Sequence, residues 1–95
     1  VVLGHQDCSV VKAAMANGSA HGRIDLIYKL IRLAVYPVSE NTPLSIQEAV
    51  MINACHTASI LKSSQPVIAS RVQSGALEII PAYYEFESGL VSLIG

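Results

Sequence analysis

The sequence predicts an α/β fold: part of a mainly parallel sheet flanked by helices and ending in a C-terminal hairpin. An unbroken apolar run, Val1-Val2-Leu3, opens the chain, helix-period segments fill its middle, and a stretch rich in β-formers closes it. With the order strand, helices, strand, strand, the opening strand and Leu77 to Tyr84 are expected to run parallel through a helical crossover. A parallel pair of this kind is normally covered on both faces, and so few strands make a poor free-standing sheet. The chain therefore reads as incomplete without an N-terminal half or a partner.

Val1 to Leu3, closed by Gly4, shows no polar alternation, which is the pattern of a covered strand. Ser9 to Met15 has helical composition and stops at the Asn17-Gly18-Ser19 breaker. From Arg23 to Val35, Ile24, Ile27, Leu30, Ile31 and Ala34 are expected to form one buried helical stripe, with Lys29 and Arg32 between them. Pro37 is expected to end that helix, and Ser39 to Thr42 to form a polar connector before Pro43. Ser45 and Glu48 make a capping box for the next helix, which carries Ile46, Val50, Ala54, Ala58 and Leu61 on one face. Ser63 to Gln65 breaks it, Pro66 to Gln73 reads as a further helical segment, and Gly75 supplies a left-handed stop. Leu77 to Phe86 reads as a strand and Glu87-Ser88-Gly89 as the turn into Leu90 to Ile94. Pro81 cannot donate to a ladder, so a bulge or an edge is expected there.

Composition narrows the function classes. Of the 95 residues, 52% are hydrophobic and only 14% charged, and the mean hydropathy is +0.47. That is more apolar material than a small monomer usually hides, and it points to association. No apolar run approaches the roughly 20 residues that cross a bilayer, so no membrane partner is expected. A net charge of -1 without a basic stripe argues against nucleic acid. With two cysteines, Cys8 and Cys55, and no signal peptide, a reducing compartment is expected, cytoplasmic or alternatively an organelle stroma or matrix. Opening without a methionine directly on Val1 reads as an internal boundary. Phosphate loops, Ser-His-Asp ordering and aromatic stacking platforms have no counterpart in the sequence.

The chemistry-bearing pair is His5 and Cys8, an HxxC spacing just past the end of the first strand, where open α/β sheets place their ligand sites. Imidazole and thiolate suit zinc, and a turn at the mouth of a helix lets residues three apart converge on one ion. On residue type alone a lone His and Cys in a turn remain an ordinary turn, because zinc needs further protein ligands. Cys55-His56 sits within the best helix, where adjacent residues diverge by about 100°, so core and surface positions are expected rather than a shared ion. His21 reads as an exposed loop residue, with a proton-shuttle role as the alternative. Tyr83 and Tyr84 alternate on a strand, one inward and one outward.

Val2-Leu3-Gly4-His5-Gln6-Asp7-Cys8, followed by Val11-Lys12-Ala13-Ala14, resembles the second zinc-ligand motif of β-class carbonic anhydrases, in which a strand ends in Gly-His-x-x-Cys and a helix follows. The similarity continues through Glu48-Ala49-Val50 and Asn53 to Gly75-Ala76-Leu77-Glu78-Ile79, Ala82-Tyr83-Tyr84 and Ser88-Gly89-Leu90-Val91. It spans nearly the whole chain but about half of the family domain, so residues 1–95 are expected to be the C-terminal part of one such domain. In that family a cysteine from an upstream Cys-x-Asp-x-Arg motif completes the site, and this chain has no such motif. Asp7 lies between the ligands and is not the family's aspartate.

The resemblance implies a Zn2+ cofactor with His5 and Cys8 as ligands, and reversible hydration of carbon dioxide to bicarbonate in the complete protein, the chain alone being inactive. It also implies a missing N-terminal half and a homo-oligomer, a dimer or larger. Ser9 stands where the family usually has glycine after the second cysteine, and its N-H is expected to face the substrate. Pro81 stands where glycine often precedes Ala-Tyr-Tyr. The alternatives are a non-catalytic interaction or structural module of the same fold, or a carbon disulfide or carbonyl sulfide hydrolase with similar ligands.

Overall fold

The structure, a computed structural model, describes residues 1–16, 18, 22–39 and 43–94. His21 and the 40–42 part of the expected connector lie outside them. Its elements are β1 (Val2–His5), α1 (Ser9–Met15), α2 (Arg23–Ser39), α3 (Ile46–Lys62), α4 (Ile68–Gln73), β2 (Pro81–Glu85) and β3 (Leu90–Leu93). The fold is α/β, with helices packed on a sheet that ends in a hairpin.

The strands lie in the order β1-β2-β3. β1 runs parallel to β2, from Val2 opposite Pro81 to His5 opposite Tyr84. β3 returns antiparallel, from Leu90 opposite Glu85 to Leu93 opposite Ala82. The sheet is therefore mixed rather than mainly parallel, because the closing hairpin contributes one antiparallel pair to a sheet with a single parallel one. Pro81 is the first residue of the middle strand, not an edge position, and there its missing N-H removes no interior rung. Residues 77 to 80 precede the ladder instead of joining it, since β1 begins only at Val2, whose N-H donates to Ile80 at 2.9 Å.

α3 packs across β1 and β2. Its start is fixed by the Ser45 capping box: Glu48 N-H donates to Ser45 Oγ at 3.1 Å, and Ser45 N-H donates to Glu48 Oε1 at 3.2 Å. Ala49, Val50, Ala54 and Ala58 form its buried face. Gly4 makes the close approach possible, because a Cβ there would lie 2.6 Å from Val50 Cγ1. On the opposite face of the strand Leu3 is 53% exposed, so the double covering expected of a parallel strand is present on one side only.

α2 continues through Pro37 to Ser39 rather than stopping before the proline. Pro37 lies in the last turn, on a stretch where Tyr36 and Val38 are exposed, so the amide hydrogen bond a proline cannot make costs little there. α2 also ties down α1: Arg32 Nε donates to Ala14 O at 2.9 Å, and its Nη2 donates to Gly18 O. α4 ends in a Schellman arrangement, with Gly75 at φ 80, Gly75 N-H donating to Val72 O and Ala76 N-H to Arg71 O.

The core joins Val11 and Ala14 of α1, Ile31, Ala34 and Val35 of α2, Ala49 and Val50 of α3, and Tyr83 of β2. It is thin, and the largest fully buried side chain is Val35. The accessible surface of 6366 Å² exceeds the roughly 5,300 Å² expected of a compact monomer of this mass. Much of the excess is apolar: of the expected buried stripe of α2 only Ile31 and Ala34 are buried, whereas Ile24, Ile27 and Leu30 are exposed, as are Leu26 and Leu33 on α2 and Leu90, Val91 and Leu93 on β3.

Candidate metal centre

β1 delivers His5 to the C-terminal edge of the sheet, and the turn Gln6-Asp7 hands the chain to Cys8 at the N-cap position of α1. Asp7 adopts φ 54, a left-handed conformation that Asp tolerates better than most residues. The turn places His5 and Cys8 on the wall of one groove of about 260 Å³, beside Gly4, Val11, Val50, Asn53 and Thr57. The groove runs along the edge of β1 that no described strand occupies.

The imidazole is oriented by its neighbour. His5 Nδ1 lies 3.0 Å from Gln6 O, and a carbonyl oxygen only accepts, so Nδ1 carries the hydrogen and the Nε2 lone pair is left for a ligand. The Phe86 ring lies beside it at 5.6 Å between centroids, and Tyr84 meets Phe86 edge-on at 5.2 Å. Cys8 is half-buried and carries a free thiol. Asp7 pairs with Lys12 at 3.3 Å, both exposed.

Of the residues singled out in the sequence, His5 and Cys8 are brought together. Ser9 opens α1, is exposed, and is not part of the groove wall. Cys55 is half-buried and His56 exposed on α3, away from the groove. Tyr83 is buried and Tyr84 half-buried, in the expected alternation. Burial, then the Glu85 and Asp7 carboxylates, hold the Tyr83 phenol above its ordinary pKa.

Gln6 is a residue that sequence reasoning missed. Its N-H donates to Tyr84 O at 2.8 Å, and its Oε1 accepts from Phe86 N-H at 2.8 Å and from Glu87 N-H at 3.4 Å. The partners lie some 80 residues away. Only the parallel pairing of β1 with β2, not any local pattern, brings them together.

Among the described residues no three His, Cys, Asp or Glu side chains cluster to hold a metal. The donor set present, one imidazole nitrogen and one thiol on a shared wall, fits zinc in ligand type and falls short in number. Fold and site thus define a class: an α/β domain that sets one imidazole and one thiol on a groove wall at the end of a sheet strand. The family model for carbonic anhydrase matches residues 1–91, and the chain belongs to that family, as its likeness to the β class implies. No curated protein matches the chain.

Proposed function

We propose that this chain supplies two zinc ligands, His5 Nε2 and Cys8 Sγ, to a β-carbonic anhydrase that reversibly hydrates carbon dioxide to bicarbonate. One observation carries the reading: the free Nε2 of a Gln6-oriented imidazole and the Cys8 thiol share one groove wall at an open sheet edge, in a chain of the carbonic anhydrase family. Zinc bound there supplies a Lewis acid that makes water nucleophilic near neutral pH. The chain's own contribution is to orient the imidazole, present the thiol at the start of α1 and line the approach with apolar side chains from Val11, Val50 and Ala54.

The third protein ligand is proposed to come from an N-terminal half or partner whose strand pairs with the free edge of β1. The surplus surface and the exposed leucines of α2 and β3 support this, and support a homo-oligomer as well. A Cys8 thiol kept available as a ligand calls for a reducing compartment, and the proposed location is cytoplasmic or an organelle stroma or matrix. Among the described residues no helix is long and apolar enough to cross a membrane.

Stopped-flow hydration of carbon dioxide by the complete protein tests the proposal. Activity that a chelator abolishes, zinc restores, and His5→Ala or Cys8→Ala removes is the expected result. A complete, folded, zinc-replete protein without hydration activity would overturn it; turnover of carbon disulfide or carbonyl sulfide by that protein would then favour the related hydrolase, and no turnover the non-catalytic module.

A further inference from the structure

Four hydrogen bonds made by Gln6 hold the turn that follows the His5 imidazole. The backbone N-H of Gln6 closes onto Tyr84 O at 2.8 Å, which extends the β1–β2 pairing one residue past the strand. Its side-chain Oε1 accepts from the amides of Phe86 at 2.8 Å and Glu87 at 3.4 Å, and so fastens the turn after β2. Its carbonyl receives His5 Nδ1 at 3.0 Å. Phe86, whose amide the side chain holds, in turn sets its ring 5.6 Å from the imidazole. The His5 ring is therefore bounded by the carbonyl of Gln6 and by a ring whose backbone Gln6 anchors.

We infer that Gln6 is a positioning residue for the metal centre: by clamping the ligand turn to the Phe86-Glu87 amides it fixes the direction in which His5 Nε2 points. The inference rests on the zinc reading above and assigns the control of ligand pose to a side chain that touches neither metal nor substrate. A ring nitrogen held by a partner keeps one tautomer and one orientation, and loss of such support typically weakens metal binding about 10- to 100-fold. An amide oxygen that takes two N-H donors is replaced in kind by a carboxylate and only weakly by a thioether.

The test uses the complete protein loaded with zinc and, separately, with cobalt(II), whose visible spectrum reports ligand geometry. Gln6→Met keeps the side-chain length and loses the acceptor, and Gln6→Glu keeps the acceptor. Gln6→Asn, one methylene shorter and out of reach of Phe86 N-H, serves if Gln6→Met folds poorly, folding being followed by circular dichroism. The expected result is zinc affinity about 10-fold lower or more and altered cobalt bands in Gln6→Met or Gln6→Asn, with both restored in Gln6→Glu. Wild-type affinity and an unchanged cobalt spectrum in folded Gln6→Met or Gln6→Asn, even with a lower melting temperature, would assign Gln6 a purely structural role and overturn the inference while leaving the zinc reading intact. Failure of the wild-type protein to bind zinc would remove both.

Discussion

Replacing Gly4 by alanine drives a methyl group into α3. The new Cβ would lie 2.6 Å from Val50 Cγ1, 3.3 Å from Val50 O and 3.6 Å from Ala54 Cβ. Ordinary carbon contacts begin near 3.5 Å, so β1 and α3 must separate by about 1 Å. Val50 cannot step aside cheaply, because a β-branched residue in a helix has essentially one rotamer and this one is 3% exposed. Overpacking of this kind typically destabilises by about 1–3 kcal/mol. The backbone entropy gained on losing a strand glycine offsets roughly 0.5–1 kcal/mol of that. The net expectation is about 1–2 kcal/mol of destabilisation. It is read as a lower urea midpoint at unchanged slope, or as a fall in melting temperature of about 4–8 °C per kcal/mol. Val50→Ala removes the clashing methyl groups, so the double variant should lose less than the sum of the single changes. A Gly4→Ala protein as stable as wild type, or strict additivity with Val50→Ala, would refute the steric account.

Other positions carry expectations of their own. At Asp7, φ 54 makes a β-branched substituent strained, so Asp7→Val should destabilise by about 1–2 kcal/mol whereas Asp7→Gly is tolerated, the exposed pair with Lys12 being worth little; equal denaturation midpoints for the two variants would contradict this. Ser45→Ala removes the acceptor for Glu48 N-H and should cost about 1 kcal/mol, measurable by chemical denaturation, with an unchanged midpoint as the contrary result. The Tyr83 phenol is held neutral in the fold, so its contribution is complete below the unfolded-state pKa near 10 and is lost as pH rises through the higher folded value. Wild type should therefore lose stability relative to Tyr83→Phe only in the alkaline range, and parallel stability curves from neutral to strongly alkaline pH would count against that linkage.

Those features that were legible in the sequence have local causes. The start of α3 was visible because a capping box is written in two residues, Ser45 and Glu48, and its buried face because Val50, Ala54 and Ala58 recur at helical spacing. The parallel pairing of β1 with β2 followed from chain order, and the stop at Gly75 from its freedom to take positive φ. Features that depend on surroundings were not legible. Pro37 was expected to end α2, yet on an exposed last turn a proline is tolerated. Pro81 was expected at an edge or bulge, yet it opens the middle strand, because the register of β1 begins opposite it. At the candidate site, the HxxC spacing put His5 and Cys8 together at the end of β1, and both line one groove wall. Gln6 stayed hidden, since its side-chain partners are backbone amides across the sheet, which no sequence pattern marks.

Zinc stoichiometry tests the shared-centre account most directly. Equilibrium dialysis with metal analysis would compare the isolated 95 residues with the complete protein, and X-ray absorption would count sulfur and nitrogen donors. The account predicts no tight, stoichiometric zinc on the isolated chain and one zinc per complete site, bound by His5 nitrogen, Cys8 sulfur and a further sulfur from outside these residues. Tight one-to-one zinc on the isolated chain, or a folded complete protein that binds none, would contradict it.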